Sequence, residues 1–327
     1  MNIQNKIPGL LLTVGLATAA YFAVLLPPLS KLHPMIIGLL LSIALRNLIG
    51  LHGTTKPGIA FSRGRVLRVA VAFLGIQLSF SQIAEVGVVG LAIILGVLIG
   101  TFSLTTYFGR FLGIDYRLCE LIAAGTSICG ASAIVATNTI TRGRDEDVAY
   151  AVASITLFGS LSMLVYPLLL PLLPLDSHGY GLWAGASIHE VAQVVATAFQ
   201  GGGDAGAFGT TAKLARVTML APFILILGWR MRGRGIQGNV LQKVPIPWFV
   251  LGFIGLVALN SYVGFDASVR STIGAVTAFL MTVALAAVGL ETDFSKLRAH
   301  GPKPFLLGLV SWLFISSVTL ALVLVAF

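Results

Sequence analysis

Apolar runs long enough to cross a bilayer follow one another along almost the whole chain, and this leaves few folds open. They fall near residues 8–27, 34–50, 58–80, 85–109, 147–173, 205–229, 247–264, 269–290 and 304–327. Two more, near 116–140 and 178–202, are interrupted by glycine and polar residues. A helix needs roughly 20 such residues to span the hydrocarbon core. In hydrocarbon every backbone N–H and C=O must find a partner within the protein, so long runs of this kind fold as helices. Only 10% of the 327 residues are charged, against roughly 25% in a soluble domain. The expected fold class is therefore an all-α polytopic membrane protein with about ten full spans and no room for a soluble domain.

A net charge of +9 would point to nucleic acid in a soluble protein. Here the basic residues sit in short loops, where the positive-inside rule accounts for them, and no nucleic-acid partner is expected. Lys6, then Lys56, Arg63 and Arg65, then Arg110 and Arg117, fall on alternate loops. Arg230, Arg232, Arg234 and Lys243 share that face, as do Lys296, Arg298 and Lys303, whereas Lys31 and Arg270 fall on the other. This predicts a bacterial-type inner membrane with the amino terminus cytoplasmic and Phe327 outside. Residues 1–30 read as an extra, uncleaved N-terminal helix, because no small-x-small cleavage site follows it. Cys119 and Cys129 suggest neither a disulfide nor a metal site. The chain lacks a Gly-x-x-x-x-Gly-Lys loop, and no cofactor is expected.

The interrupted segments match each other. One reads Gly125-Thr126-Ser127-Ile128-Cys129-Gly130-Ala131-Ser132, the other Gly185-Ala186-Ser187-Ile188-His189-Glu190-Val191-Ala192-Gln193. Helix breaks at membrane depth are tolerated only where the backbone is buried in protein or lines a cavity. Paired breaks in two halves of a chain point to a transporter's binding site. Other matches have the same order: Gly75 to Ile83 with Gly289 to Leu297, and Pro34 to Asn47 with Pro247 to Asn260. The run near 85–109 corresponds to that near 304–327, and Ser162-Met163-Leu164 resembles Thr218-Met219-Leu220. The chain thus reads as one transmembrane domain, 1–327, built of two repeats at about 34–173 and, in permuted order, 178–327.

Parity separates two arrangements of the broken segments. If each crosses the bilayer, Arg142 and Arg144 emerge outside, against the charge rule. If each is a re-entrant hairpin, both arginines stay cytoplasmic and every matched pair becomes inverted. Hairpins are expected, with a broken crossing helix as the alternative. Their tips, near Gly125–Ser132 and Gly185–Glu190, would meet near mid-membrane.

A half-helix starting inside the membrane presents unpaired N–H groups and a positive dipole end, a ready anion site. Candidate substrate-binding residues are Gly125, Thr126, Ser127, Ile128, Cys129, Gly130, Ala131 and Ser132, with Gly185, Ala186 and Ser187. Small residues admit a substrate to the backbone, and the hydroxyls add donors. The plain alternative is that each serine or threonine bonds its own helix. His189 and Glu190 are candidates for ion coupling, since ionisable groups at membrane depth are costly and mark function. Gln193 lies one turn on, and Glu291, following an apolar run, matches Gln77. A structural histidine and a solvated Glu291 are the plain alternatives. Asn47 and Asn260 occupy matching places, and Asn138 is a weaker candidate for the path.

The run from Gly125 to Ile134 resembles the signature of the YeiH-type sulfate exporter family, and Ala184 to Gln193 resembles that family's second characteristic stretch. The similarity includes Gly289-Leu290-Glu291-Thr292 and covers nearly the whole chain. The family is in turn similar to the antiporter and bile-acid-type transporters with inverted repeats. The resemblance implies secondary transport by a core domain moving against a homodimeric scaffold. The function expected is alternating-access transport of a small anion, with sulfate or a related sulfur oxyanion as first substrate and H+ or Na+ as coupling ion. A passive anion channel is one alternative. An intramembrane hydrolase using Ser127, Ser132 or Cys129 with His189 is another, although the Gly-x-Ser-x-Gly elbow is missing.

Overall fold

The computed structural model describes residues 3–27, 29–30, 32–232, 248–293, 295 and 301–327. Lys31, Arg234, Lys243, Lys296 and Arg298, counted above toward the charge asymmetry, lie outside the described residues, as do Pro247, Phe294 and Leu297 of the matched segments. Among the described residues every regular element is helical. Among the described residues six helices are long and apolar enough to cross a membrane: Gln4–Ala23, Gly87–Phe111, Asp145–Leu172, Gly203–Arg230, Ala267–Glu291 and Pro302–Ala326. That is fewer than the sequence runs suggested. Pro34–Leu48 and Trp248–Val263 are apolar but shorter. The run near 58–80 is divided by a π-helical turn at Ser62–Val66, which holds Arg63 and Arg65, and a 3-10 turn at Gly75–Gln77.

The chain forms two compact units. The first comprises Met1–Ala84 and Trp248–Phe294. It holds α1 (Ile7–Ala23), α2 (Pro34–Leu48), α3 (Lys56–Phe61), α4 (Leu67–Leu74), α5 (Phe80–Ala84), α14 (Trp248–Val263) and α15 (Ala267–Glu291). Pro34 opens α2, where its fixed φ and missing N–H cost nothing, and the His33 side chain accepts the Met35 N–H at 3.3 Å. Helix α2 packs on α15, and α14 on α4. Two matched asparagines tie these pairs reciprocally. Asn47 Nδ2 donates to Thr292 O at 2.9 Å, and Asn260 Nδ2 donates to Leu78 O at 3.0 Å. Thr292 and Leu78 are themselves matched positions, each just past a helix end where a carbonyl lacks a helical donor.

The second unit comprises Glu85–Pro247 and Ser295–Phe327. Its helices are α6 (Gly87–Phe111), α7 (Tyr116–Ala124), α8 (Ala131–Thr141), α9 (Asp145–Leu169), α10 (Ser177–Ser187), α11 (Val191–Ala198), α12 (Gly203–Thr218), α13 (Leu220–Arg232) and α16 (Pro302–Ala326). The matched helices α6 and α16 pack together, with Thr105 Oγ1 donating to Ser311 Oγ at 2.9 Å.

Each broken segment folds back on itself. Asp115 caps α7 by accepting the Arg117 N–H at 2.9 Å. Helix α8 ends at Arg142, whose φ of 51° is left-handed, with Asn138 Oδ1 accepting the Gly143 N–H at 2.7 Å. A Cβ placed on Gly143 would lie 3.2 Å from Leu121 Cδ1 and 3.6 Å from Arg117 Cβ, so the segment ends beside its own start. The second hairpin closes the same way: Asp176 caps α10 through the Gly179 N–H at 2.7 Å, and Tyr180 Oη donates to Thr197 O at 3.2 Å.

The breaks fall later than the onset of each glycine-rich run. Gly125–Cys129 continue α7 as a π-helical turn, and the chain turns only at Gly130, whose φ is +70°. Gly185 lies inside α10, where it admits α12: a Cβ there would sit 2.8 Å from Ala212 Cβ and collide with Gly209 O. The second break is Ile188–Glu190. Around α10, Tyr166 stacks on Trp183 at 3.7 Å, and Trp183 Nε1 donates to Ser316 O at 2.9 Å.

Candidate functional site

Four helix ends meet where the hairpin tips touch, and each is answered by charge of the complementary sign. The C-terminal ends of α7 and α10 expose carbonyls that no following helical N–H can reach. Lys213 and Arg216, three residues apart on α12 and so on one face, supply the donors; both are wholly buried. Lys213 Nζ donates to Ile128 O at 3.0 Å and to Ile188 O at 2.7 Å. Arg216 Nε donates to Ser127 O at 2.7 Å, Nη2 to Thr126 O, and Nη1 to Ala186 O at 2.8 Å and Ile188 O at 3.2 Å. Each cation therefore spans both hairpins.

Burying an unpaired ion costs several kcal/mol even after relaxation. A hydrogen bond to a charged group returns about 1.5–3 kcal/mol, and the negative ends of two helix dipoles add to that. With six carbonyl contacts shared between them, the two cations are compensated in place.

The positive ends of α8 and α11 meet Glu190. Its Oε1 accepts the Ala131 N–H at 2.8 Å. Glu190 is also the N-cap residue of α11, where Gln193 Oε1 accepts the Glu190 N–H at 3.2 Å. Gln193 is anchored in turn, its Nε2 donating to Thr156 O and Ser160 Oγ, both at 3.2 Å. Gly130 makes room: a Cβ there would run into the Glu190 carboxylate. His189, 1% exposed, precedes Glu190 and leaves Nδ1 without a hydrogen-bond partner.

Most of the residues singled out from sequence gather at this junction, but several act through the backbone. Thr126, Ser127, Ile128 and Ala186 contribute carbonyls. The Ser127 hydroxyl bonds Ala123 O at 2.7 Å on its own helix. The Ser187 hydroxyl bonds Trp183 O at 2.5 Å and pairs with Tyr166 Oη at 2.8 Å. Gly125 and Cys129 are buried in the π-helical turn, and Ala131 lends its N–H to Glu190. Ser132 is exposed, apart from this buried cluster. Glu291 belongs to the first unit, where it pairs with Arg63 at 2.9 Å. Lys213 and Arg216 went unnoticed in the sequence. Their signal was plain, since two cations stand inside the apolar run 205–229, and charge at membrane depth marks function by default.

Among the described residues every regular element is helical and six helices are apolar and of bilayer length, which defines a polytopic membrane protein. From residue 8 to 308 it matches the family described as Conserved hypothetical protein 698. It is 38% identical over 331 residues to a UPF0324 membrane protein of Pseudomonas aeruginosa, covering 95% of this chain and 92% of that one. A UPF0324 membrane protein of Bordetella pertussis is 36% identical over 324 residues, 95% of this chain and 92% of the relative. The UPF0324 inner membrane protein YeiH of Escherichia coli K12 is 34% identical over 324 residues, 96% and 93% respectively. The chain belongs to this UPF0324, YeiH-like family.

Proposed function

We propose that the protein is a secondary transporter of a small anion, working by alternating access in the inner membrane, the location in the name of its relative, the inner membrane protein YeiH. The observation that carries this reading is the junction itself, with two hairpin tips joined by Glu190 and by two buried cations on α12. Lys213, Arg216 and the N-termini of α8 and α11 gather at the junction around a single carboxylate, Glu190, and so rich a set of donors favours an anion. Sulfate or a related sulfur oxyanion remains the first substrate. The reciprocal contacts of Asn47 and Asn260 support an inverted repeat in the first unit. The two back-folded segments support re-entrant hairpins in the second. The carrying unit is the one with the hairpins, and a homodimer is the expected assembly.

Protons are favoured over sodium as the coupling ion. The break carbonyls that would coordinate sodium already accept from Lys213 and Arg216. The hydrolase alternative gains no support from Ser127, whose hydroxyl is engaged by Ala123 O. Proteoliposome flux of labelled sulfate tests the proposal. Saturable, gradient-coupled exchange supports a carrier. Conductive flux that does not saturate favours a channel, and absence of flux for sulfate and other oxyanions refutes anion transport.

A further inference from the structure

Two helix N-termini converging on one point form an anion site by themselves, through free N–H groups and aligned dipoles. In this chain α8 and α11 converge in that way, and the anion between them is the chain's own Glu190. Its carboxylate accepts the Ala131 N–H at the start of α8, while Glu190 itself is the N-cap residue of α11. A cap needs only a short side chain, and Ser, Thr, Asp and Asn lead at that position. The longer glutamate reaches across to the opposite hairpin. Gly130, with its left-handed φ and no Cβ, gives the carboxylate room to seat. Next to it, the buried His189 keeps an Nδ1 with no hydrogen-bond partner. Glu190 itself is only partly buried, so its carboxylate has somewhere to go.

We propose that Glu190 is a tethered stand-in for the substrate: a small oxyanion binds across the N-termini of α8 and α11 by displacing the Glu190 carboxylate, which takes up one proton as it leaves. This rests on the anion-transport reading above and adds the position and the coupling. The charge balance is direct. The seated carboxylate and the arriving anion satisfy the same N–H groups. The displaced carboxylate loses its donors and is neutralised by a proton from solvent, with no other bond made or broken. Lys213 and Arg216 face the junction from α12, Cys129 from the first tip, His189 from the chain just before Glu190, and Tyr166 from α9 through Ser187. Lys213 and Arg216 stay engaged with carbonyls in both states and hold the field that draws the anion in.

The test is sulfate binding to the purified full-length protein, by calorimetry, from mildly acidic to mildly alkaline pH. Wild-type affinity should weaken about tenfold per pH unit once the carboxylate is ionised, with one proton taken up per sulfate bound. Glu190→Gln, whose amide oxygen can still accept from Ala131, should bind with no pH slope and roughly tenfold or more tighter at alkaline pH. Size-exclusion behaviour and the reactivity of buried Cys129 report that the variant is folded. Proton uptake on sulfate binding, measured in a lightly buffered wild-type sample, reads the coupling without any variant. An unchanged slope in Glu190→Gln, loss of its binding, or sulfate binding by wild type without proton uptake overturns the displacement while leaving an anion transporter in place. If neither protein binds sulfate, thiosulfate, sulfite or acetate, the displacement and the anion reading fall together.

Discussion

Replacing Arg216 by methionine should disrupt the hairpin junction far more than replacing Lys213 by methionine. Both substitutions keep a long side chain on α12, so the difference lies in the carbonyls left behind. Lys213 serves Ile128 O and Ile188 O, and Ile188 O keeps Arg216 Nη1 at 3.2 Å, so Lys213→Met strands one acceptor. Arg216 serves Thr126 O, Ser127 O and Ala186 O as well as Ile188 O, so Arg216→Met strands three. At about 1–3 kcal/mol for each buried acceptor left unsatisfied, the costs are about 3–9 against 1–3 kcal/mol. Relief from no longer burying a charge works the same way. An ammonium is more strongly hydrated than a guanidinium, so losing Lys213 returns more desolvation energy and widens the gap. The assay is maleimide alkylation of Cys129, which is 3% exposed, in a Cys119→Ser background, together with thermal unfolding in mild detergent. Arg216→Met should react fastest and unfold at the lowest temperature. An equal or reversed order would refute the view that these carbonyl contacts hold the tips together.

Other expectations follow from the same geometry. Gly130→Ala must place a Cβ at φ +70° and against the Glu190 carboxylate. A strained residue costs about 1–3 kcal/mol, and the variant should lose sulfate transport with a lowered melting temperature. Asn260→Ala frees Leu78 O at a buried site and should cost about 1–3 kcal/mol. Asn47→Ala, at an exposed position, should cost less, and denaturation of the two variants checks the ranking. Ser127→Ala removes a hydroxyl bonded within its own helix, so flux assays should find transport largely retained; a complete loss would return the hydroxyl to the substrate. A cysteine at Arg142, in a background without Cys119 and Cys129, should react with impermeant reagents from the cytoplasmic side only, and periplasmic labelling would exclude the re-entrant hairpin.

Much of the fold was legible in the residue string because hydrocarbon leaves a backbone so few choices. Apolar length predicted helices throughout, and the paired Gly-rich runs predicted two broken segments near 116–140 and 178–202. Side-chain pattern also marked Gly130, Glu190 and Gln193 as unusual. Local reading gave the breaks as ranges rather than single positions. It bracketed the tips as Gly125–Ser132 and Gly185–Glu190, and within those ranges a π-helical turn carries the first helix on to Gly130 and helix packing holds Gly185 inside α10.

What the string alone determined is the class of element and the place where helices fail, since both depend on neighbours in sequence. What only the tertiary structure decided is which group answers which. The carbonyl of Thr126 is met by a guanidinium 90 residues further along the chain, and the N–H of Ala131 by a carboxylate 59 residues away. A helix end advertises unpaired donors or acceptors through local sequence, but the partner that satisfies them is chosen by how distant helices pack.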